Sequence, residues 1–293
     1  LLSPRTVLKG RTKLPQPLLP EVTVDLKNTA SYLQQTLDLA IGNLAGTQQA
    51  VMFSGGFDSM LIACLAKRCG AKVTGITVQF DDFNLMTVKG AMETADKIGI
   101  KHYIIHVKLV EFLAAFEVLA GLTDEPLLDL DLGVVYAALK KYDPQIAGDT
   151  FISGMGSDQW FGNEALEMKH GGFETSLDWA IINEQGHHDV AKVFFFFFVF
   201  PFLSEPMLAL SQVISTDMKK DKNLLRELAI VNSIPSRGVA SELQVPPFIR
   251  QLFIKTYGKR AWPSPVTIHC SDHEDQKLRK IILGLWLEKA KQK

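Results

Sequence analysis

The chain has 293 residues, room for one large domain or two, and 47% of them are apolar, enough for a sizeable core. A formal net charge of −1 gives no reason to expect nucleic acid or an anionic membrane as partner. Cys64, Cys69 and Cys270 have no metal-type spacing, no secretory signal or transmembrane helix is visible, and the apolar run Val193 to Leu203 is far shorter than the ~20 residues that span a bilayer. The expected setting is a reducing cytoplasm, with Cys64 and Cys69 as packing residues.

The chain begins with leucine rather than methionine, which leaves processing, truncation and incomplete representation open. Leu1 to Glu21 holds four prolines and several basic residues without periodicity, so residues 1–23 are expected to form an extended surface arm. Leu26, Ala30, Leu33, Leu37, Ala40, Ile41 and Leu44 recur at helical spacing and predict an amphipathic helix over Val24 to Leu44.

The stretch Val51-Met-Phe-Ser-Gly-Gly-Phe-Asp-Ser-Met60 carries the first chemistry. Gln49 to Phe53 reads as a buried strand and Met60 to Cys69 as a helix closed by Gly70. Between them Gly55 and Gly56 permit a tight turn whose N–H groups converge, and the helix opening on Asp58 and Ser59 adds its partial positive charge. This is an anion cradle suited to phosphate, without the lysine of a Walker loop. A carboxylate beside a polyanion requires a cation between them, so Asp58 argues for Mg²⁺.

Lys72 to Phe80 is predicted as the second strand, Leu85 to Ile98 as a crossover helix ending at Gly99, and His102 to Val107 as the third strand. Such alternation predicts an α/β fold with a doubly wound parallel sheet and its ligand at the carboxyl ends of the strands. A helix over Lys108 to Leu122, an acidic turn through Gly133 and a helix to Tyr142 follow. Then comes Thr150-Phe-Ile-Ser-Gly-Met-Gly-Ser-Asp-Gln-Trp-Phe-Gly-Asn163, an apolar strand running into a second glycine-rich turn. Asp158 there would stand beside Asp58 at the same sheet edge, and two acids suit Mg²⁺ better than Zn²⁺.

From residue 164 the chain reads as a mainly helical lobe, appended to the α/β domain of residues 24–163 that carries the anion cradle. Its predicted elements are helices over Ser176 to Lys192, Ser204 to Ile214, Asp221 to Val231, Pro247 to Tyr257 and Asp272 to Lys291, and a buried strand rich in phenylalanine. Gly238 and Pro246-Pro247 mark loops where an acceptor substrate could enter, and Glu184, His187 and His188 could supply a base from this lobe. Lys222, in Lys222-Asn-Leu-Leu-Arg226-Glu227, reads on composition alone as a solvated helical lysine.

Ser54-Gly-Gly-Phe-Asp-Ser59 resembles the pyrophosphate-binding loop of the ATP pyrophosphatases, which cleave ATP between the α and β phosphates. With the segment from Thr150 to Asn163, Pro201-Phe-Leu and Lys222 to Glu227, it is similar to the synthetase domain of the asparagine synthetase family. The resemblance covers about Val24 to Tyr257 and implies ATP as cosubstrate and Mg²⁺ as cofactor. It assigns nucleotide binding to Ser54, Gly55, Gly56, Asp58, Ser59, Val78, Ser153 and Gly154, with Val78 backbone at the adenine. Asp58 and Asp158 would hold the metal, Lys222 would lie over the reacting phosphate, and Asp131 would face the site.

The implied reaction is attack of a substrate carboxylate on the α-phosphate, giving an acyl-adenylate and pyrophosphate, then displacement of AMP by an amine. With no room for a glutaminase domain ahead of residue 24, nitrogen is expected as free ammonia, a substrate amine, or from a separate amidotransferase subunit; a homo-oligomer is a further expected partner. The family's glutamate in the second motif is Met155 here, and its following Asp-Glu is Asp158-Gln159. Family members that close β-lactam rings carry tyrosine there, so the change bears on asparagine as product more than on adenylation. A second function class therefore stands beside the ligase, a nucleotide-binding member serving as a subunit or regulator.

Overall fold

The computed structural model describes residues 25–42, 46–122, 130–161, 173–235, 247–269 and 271–291. At its centre is a parallel sheet of five strands: β1 (Gln48–Met52), β2 (Lys72–Phe80), β3 (Lys101–Val107), β4 (Thr150–Ile152) and β5 (Phe197–Val199), ordered β3-β2-β1-β4-β5. β1 runs in register with β2 from Gln48 opposite Lys72 to Met52 opposite Ile76, and with β4 at Ala50–Phe151 and Val51–Ile152. The central strands are near-continuous apolar runs because helices cover both faces.

The chain starts in the middle of this sheet, moves outward through α2 (Phe57–Arg68) and α3 (Leu85–Ile98) to the β3 edge, then returns to place β4 on the other side of β1. Right-handed crossovers running in opposite directions put their helices on opposite faces, which is the doubly wound arrangement expected. α1 (Leu26–Gly42) packs on α2, and α2 on α3; α4 (Leu109–Leu122), α5 (Asp131–Leu139) and α7 (Phe173–Val193) contact one another. The direction reverses between β1 and β4, so the loops leaving these two strands border one crevice. β5 comes from beyond residue 163 and joins the same sheet, so the sheet draws on both parts of the chain.

Ala30, Leu33, Leu37 and Ile41 form the buried stripe of α1, as their spacing predicts; Leu44 lies outside the described residues. β2 and α3 have the expected limits, and Gly99 closes α3 in a left-handed conformation. Phe112 and Phe116 of α4 meet Phe253 of α11 (Pro247–Tyr257) edge to face, with centroids 6.5 and 4.9 Å apart. The predicted arm lies outside the described residues, as do Gly238, Pro246 and Cys270.

Two predicted elements are corrected. The run Val193 to Leu203 is not one buried strand. Only residues 197–199 pair, Phe195 turns at φ 59° and is 86% exposed, and Pro201–Leu203 is a 3₁₀ turn. The alternation of β5 explains this: Phe198 is buried while Phe197 on the other face is exposed. After α8 (Glu205–Val213) and α9 (Thr216–Lys219), the helix expected from Asp221 starts two residues later, as α10 (Asn223–Val231), because Asp221 and Lys222 both take left-handed conformations.

Within the sheet, Thr77 Oγ donates to the Phe53 carbonyl at 2.5 Å and lies 2.7 Å from Nε2 of His102, which packs edge-on to Phe53. Burial pushes the His102 pKa down, more than Asp96 raises it. The folded state therefore takes up a proton less readily than the unfolded chain. This contribution to stability is full above the ordinary histidine value of about 6.5 and is lost as pH falls below it, towards the lower folded value. Urea midpoints measured at about pH 7.5 and 5.5 should drop more for the wild type than for His102→Gln; equal drops would show that His102 does not carry the effect.

Candidate active site

The loop after β1 is built as its sequence requires. Gly55 has φ 76°, and a Cβ there would lie 2.6 Å from Ala91 Cα in α3, so only glycine fits both the conformation and the space. Ser54 Oγ accepts from the Gly56 N–H at 3.1 Å and meets Ser59 Oγ at 3.2 Å, while Ser59 Oγ donates to the Gly56 carbonyl. Thr94 of α3 supports the loop from behind by donating to the Gly55 carbonyl at 3.3 Å. The helix begins at Phe57, three residues earlier than expected, with no side-chain cap at Gly56. Asp58 and Ser59 therefore sit in the first turn of α2, where N–H groups have no intrahelical partner and favour an anion.

The loop after β4 lies against this cradle. A Cβ on Gly154 would stand 3.0 Å from the Asp58 carbonyl carbon and 3.1 Å from the Ser59 nitrogen, so the second glycine motif lets the two loops touch through their backbones. Ser153 Oγ accepts from the Met155 N–H at 3.2 Å, and its own N–H donates to the Val199 carbonyl. Asp158 lies in the first turn of the short helix α6 (Ser157–Trp160) rather than at a strand end. Trp160, fully buried, donates from Nε1 to the Phe202 carbonyl at 2.7 Å and ties this motif to Pro201-Phe-Leu. Trp160→Phe should cost about 1–3 kcal/mol by removing that bond inside the core, read as a lower urea midpoint.

Lys222 closes the site from 164 residues away in sequence. Its ammonium donates to Asp58 Oδ1 at 2.8 Å and Oδ2 at 2.7 Å, and lies 2.5 Å from Asp158 Oδ1. Its backbone N–H donates to the Phe161 carbonyl at 3.1 Å, one residue past the end of α6 and within the second motif. The solvated helical lysine of the composition reading is thus replaced by a three-way ion cluster, with the Lys222 side chain 18% exposed. Asp221 and Lys222 have φ 53° and 58°, conformations that cost non-glycine residues about 1–3 kcal/mol each and collect at functional sites. Arg226 braces the turn: Nε donates to the Asp221 carbonyl at 3.2 Å, and the guanidinium stands 5.8 Å over the ring of Phe57. Sequence reasoning missed this bracing role, although Arg226 belongs to the quoted motif.

Burial raises the Asp58 pKa, opposed by Lys222 and reinforced by Asp158. For Lys222 burial works against the charge, but Asp58 and Asp158 more than offset it and hold its pKa above the usual lysine value. The donor set is hard oxygen converging on one cation, which fits Mg²⁺. Among the described residues no group of three or more His, Cys, Asp or Glu side chains could hold a metal ion. The pair would have to share its metal with phosphate oxygens, as Mg²⁺ commonly does.

Other predicted residues have contacts of their own. Val78 is buried near the carboxyl end of β2, and its carbonyl accepts from Asn84 Nδ2 at 2.8 Å, an interaction sequence reading did not foresee. Asp131 opens α5 and is partly buried. His187 Nδ1 bonds the Asn183 carbonyl and its ring packs on Phe198 and Phe200, while His188 packs on Phe200 and stands 3.7 Å from Glu184. These groups hold α7 to β5, and none of these contacts brings a base to the Asp58 cluster. Met155 packs against the core. Burial pushes the Cys64 and Cys69 thiols up, in keeping with packing residues. Among the described residues no helix is long and apolar enough to cross a membrane.

Comparison with known proteins gives two kinds of relative. A tRNA-specific 2-thiouridylase MnmA of Zymomonas mobilis is 28% identical over 152 residues, 45% of this chain and 40% of that protein. A protein of Mycobacterium tuberculosis named for glutamine-hydrolysing asparagine synthetase is 30% identical over 113 residues, 39% of this chain and 17% of its own length. The chain thus spans less than half of these relatives. Among solved structures, the U34-tRNA thiolase NcsA from Methanococcus maripaludis has a TM-score of 0.42 at 13% identity, over 91% of this chain and 80% of its own. NMN synthetase from Francisella tularensis has a TM-score of 0.34 at 13% identity, over 85% of this chain and 100% of its own. The family model for asparagine synthase matches residues 34–180, from α1 through both glycine motifs into α7. With half its length matched there, the chain belongs to the asparagine synthase family, within the ATP-using superfamily that carries the pyrophosphate-binding loop.

Proposed function

We propose that the protein is an AMP-forming ligase, which activates a carboxylate with ATP and passes the acyl group to ammonia or an amine. The observation that carries this reading is the Lys222 ammonium meeting Asp58 and Asp158 at the mouth of the anion loop. The first turn of α2 and the turn at Gly55 and Gly56 would receive the β and γ phosphates, with Ser54 and Ser59 hydroxyls on their rim. Ser153 and Gly154 would border the nucleotide on the β4 side, and Val78 the adenine. Mg²⁺, held by Asp58 and Asp158, would supply charge neutralisation on the phosphate oxygens. Lys222 would hold the charge that develops on the α-phosphate and the leaving pyrophosphate as the carboxylate oxygen attacks. The protein's share of the chemistry is then positioning and charge stabilisation. Nitrogen would come as free ammonia, as a substrate amine or from a separate amidotransferase subunit, and a second copy of the chain is a further proposed partner.

A second reading rests on Met155: methionine cannot carry charge or move a proton, which favours a nucleotide-binding subunit or regulator. One experiment separates the two. Purified protein is given Mg·ATP and a panel of carboxylic acids including aspartate, with and without ammonium, and amide is followed by mass spectrometry against Asp58→Ala. One acid giving a nitrogen-dependent amide, lost in the variant, supports the ligase. Nucleotide binding with no product from any acid favours the regulator; the names of the thiouridylase relatives make a tRNA uridine the next acceptor to try.

A further inference from the structure

Both oxygens of Asp58 and one of Asp158 converge on a single point, the Lys222 ammonium, at 2.8, 2.7 and 2.5 Å. A divalent cation shared by the two acids would have to meet the same oxygens, at the shorter distance of about 2.0–2.1 Å that Mg²⁺ demands. An ammonium and a divalent ion cannot both do so, since each excludes and repels the other at this range. The backbone that presents Lys222 is pinned on both sides, by its N–H to the Phe161 carbonyl at 3.1 Å and by Arg226 Nε to the Asp221 carbonyl at 3.2 Å. Any exchange must therefore run through rotation of the long lysine side chain, while the turn stays in place.

We propose that Lys222 is a built-in competitor of the divalent cation, so that the acid pair refuses free metal and accepts it only together with a nucleoside triphosphate whose phosphates draw the ammonium away. The inference rests on reading Asp58 and Asp158 as the cation-holding pair, and it deepens that reading by adding an order of binding. Metal and polyphosphate then favour each other's binding through one side chain, and the coupling is reciprocal. The same side chain serves in turn as the partner of the carboxylates and of the phosphate.

The test uses Mn²⁺ alone, titrated into the full chain at neutral pH, with free Mn²⁺ followed by electron paramagnetic resonance. The wild type should bind Mn²⁺ only weakly. Lys222→Met and Lys222→Gln, two neutral replacements checked for folding by circular dichroism, should bind it at least about tenfold more tightly, within the usual range of coupling between sites. Adding Asp58→Asn to either should return binding to the wild-type level. Equal binding by the wild type and the neutral variants overturns the proposal, as does tight binding that survives Asp58→Asn. Should neither neutral variant fold, the wild type decides: weak binding of Mn²⁺ alone that tightens with α,β-methylene ATP beyond the nucleotide's own affinity for the ion supports the proposal, and tight binding of Mn²⁺ alone overturns it. No acid or turnover is involved, so this result and the ligase can fail separately. A chain that makes no amide yet shows the Mn²⁺ pattern keeps the exchange and loses the ligase; one that makes amide and binds free Mn²⁺ tightly does the reverse.

Discussion

Lys222→Ala should lower kcat for pyrophosphate release by about 10²–10³, the usual effect of removing one preorganised group that stabilises transition-state charge. The reason is positional. The ammonium is held within 2.8 Å of both acids by a turn whose two left-handed residues are fixed from Phe161 and Arg226. Lys222→Arg should recover only part of the rate, because a planar fork does not replace a compact point charge at a site shaped around one ammonium. A stability comparison isolates the backbone. Lys222→Gly should be more stable than Lys222→Ala by about 1–2 kcal/mol, since both lack the charge and only glycine relieves the left-handed conformation. A rate for Lys222→Ala within a few fold of wild type would remove Lys222 from the chemistry.

Gly55→Ala should have the second large effect. A Cβ there meets Ala91 Cα at 2.6 Å and Ala91 N at 2.9 Å, backbone atoms that cannot rotate aside, and φ is 76°. The left-handed conformation costs about 1–2 kcal/mol for a non-glycine residue, and overpacking typically about 1–3 more. Urea midpoints should fall accordingly, and the loop should shift away from α3 and weaken nucleotide binding. A Gly55→Ala protein with wild-type stability and affinity would show that this turn is not the rigid cradle described.

The fold was legible where local pattern and global topology agree. β2 and α3 were readable to the residue because an apolar run and a 3.6-residue stripe are bounded by Gly70 and Gly99. The phenylalanine run misled because five like residues hide the period of two; burial separates Phe196 and Phe198 from Phe195 and Phe197. The site was legible in its two glycine motifs, since the topology brings the ends of β1 and β4 together at the reversal point. The turn at Asp221 and Lys222 was not. No glycine or proline marks it, and its left-handed geometry is imposed by partners at Phe161 and Arg226, the first of them distant in sequence. The histidines of α7 show the converse: the ring of His187 lies edge-on to Phe198 and Phe200, contacts that no local pattern announces.

The most direct test of an adenylating site is the bond of ATP that is broken. Purified protein, Mg·ATP, the acid panel and ammonium as the nitrogen nucleophile are followed for all phosphorus products, with Asp58→Ala alongside. AMP and pyrophosphate in equal amounts, dependent on an acid and absent from the variant, is the predicted result. ADP and orthophosphate as the acid-dependent products would contradict the assignment of Asp58, Asp158 and Lys222 to the α-phosphate and its leaving group.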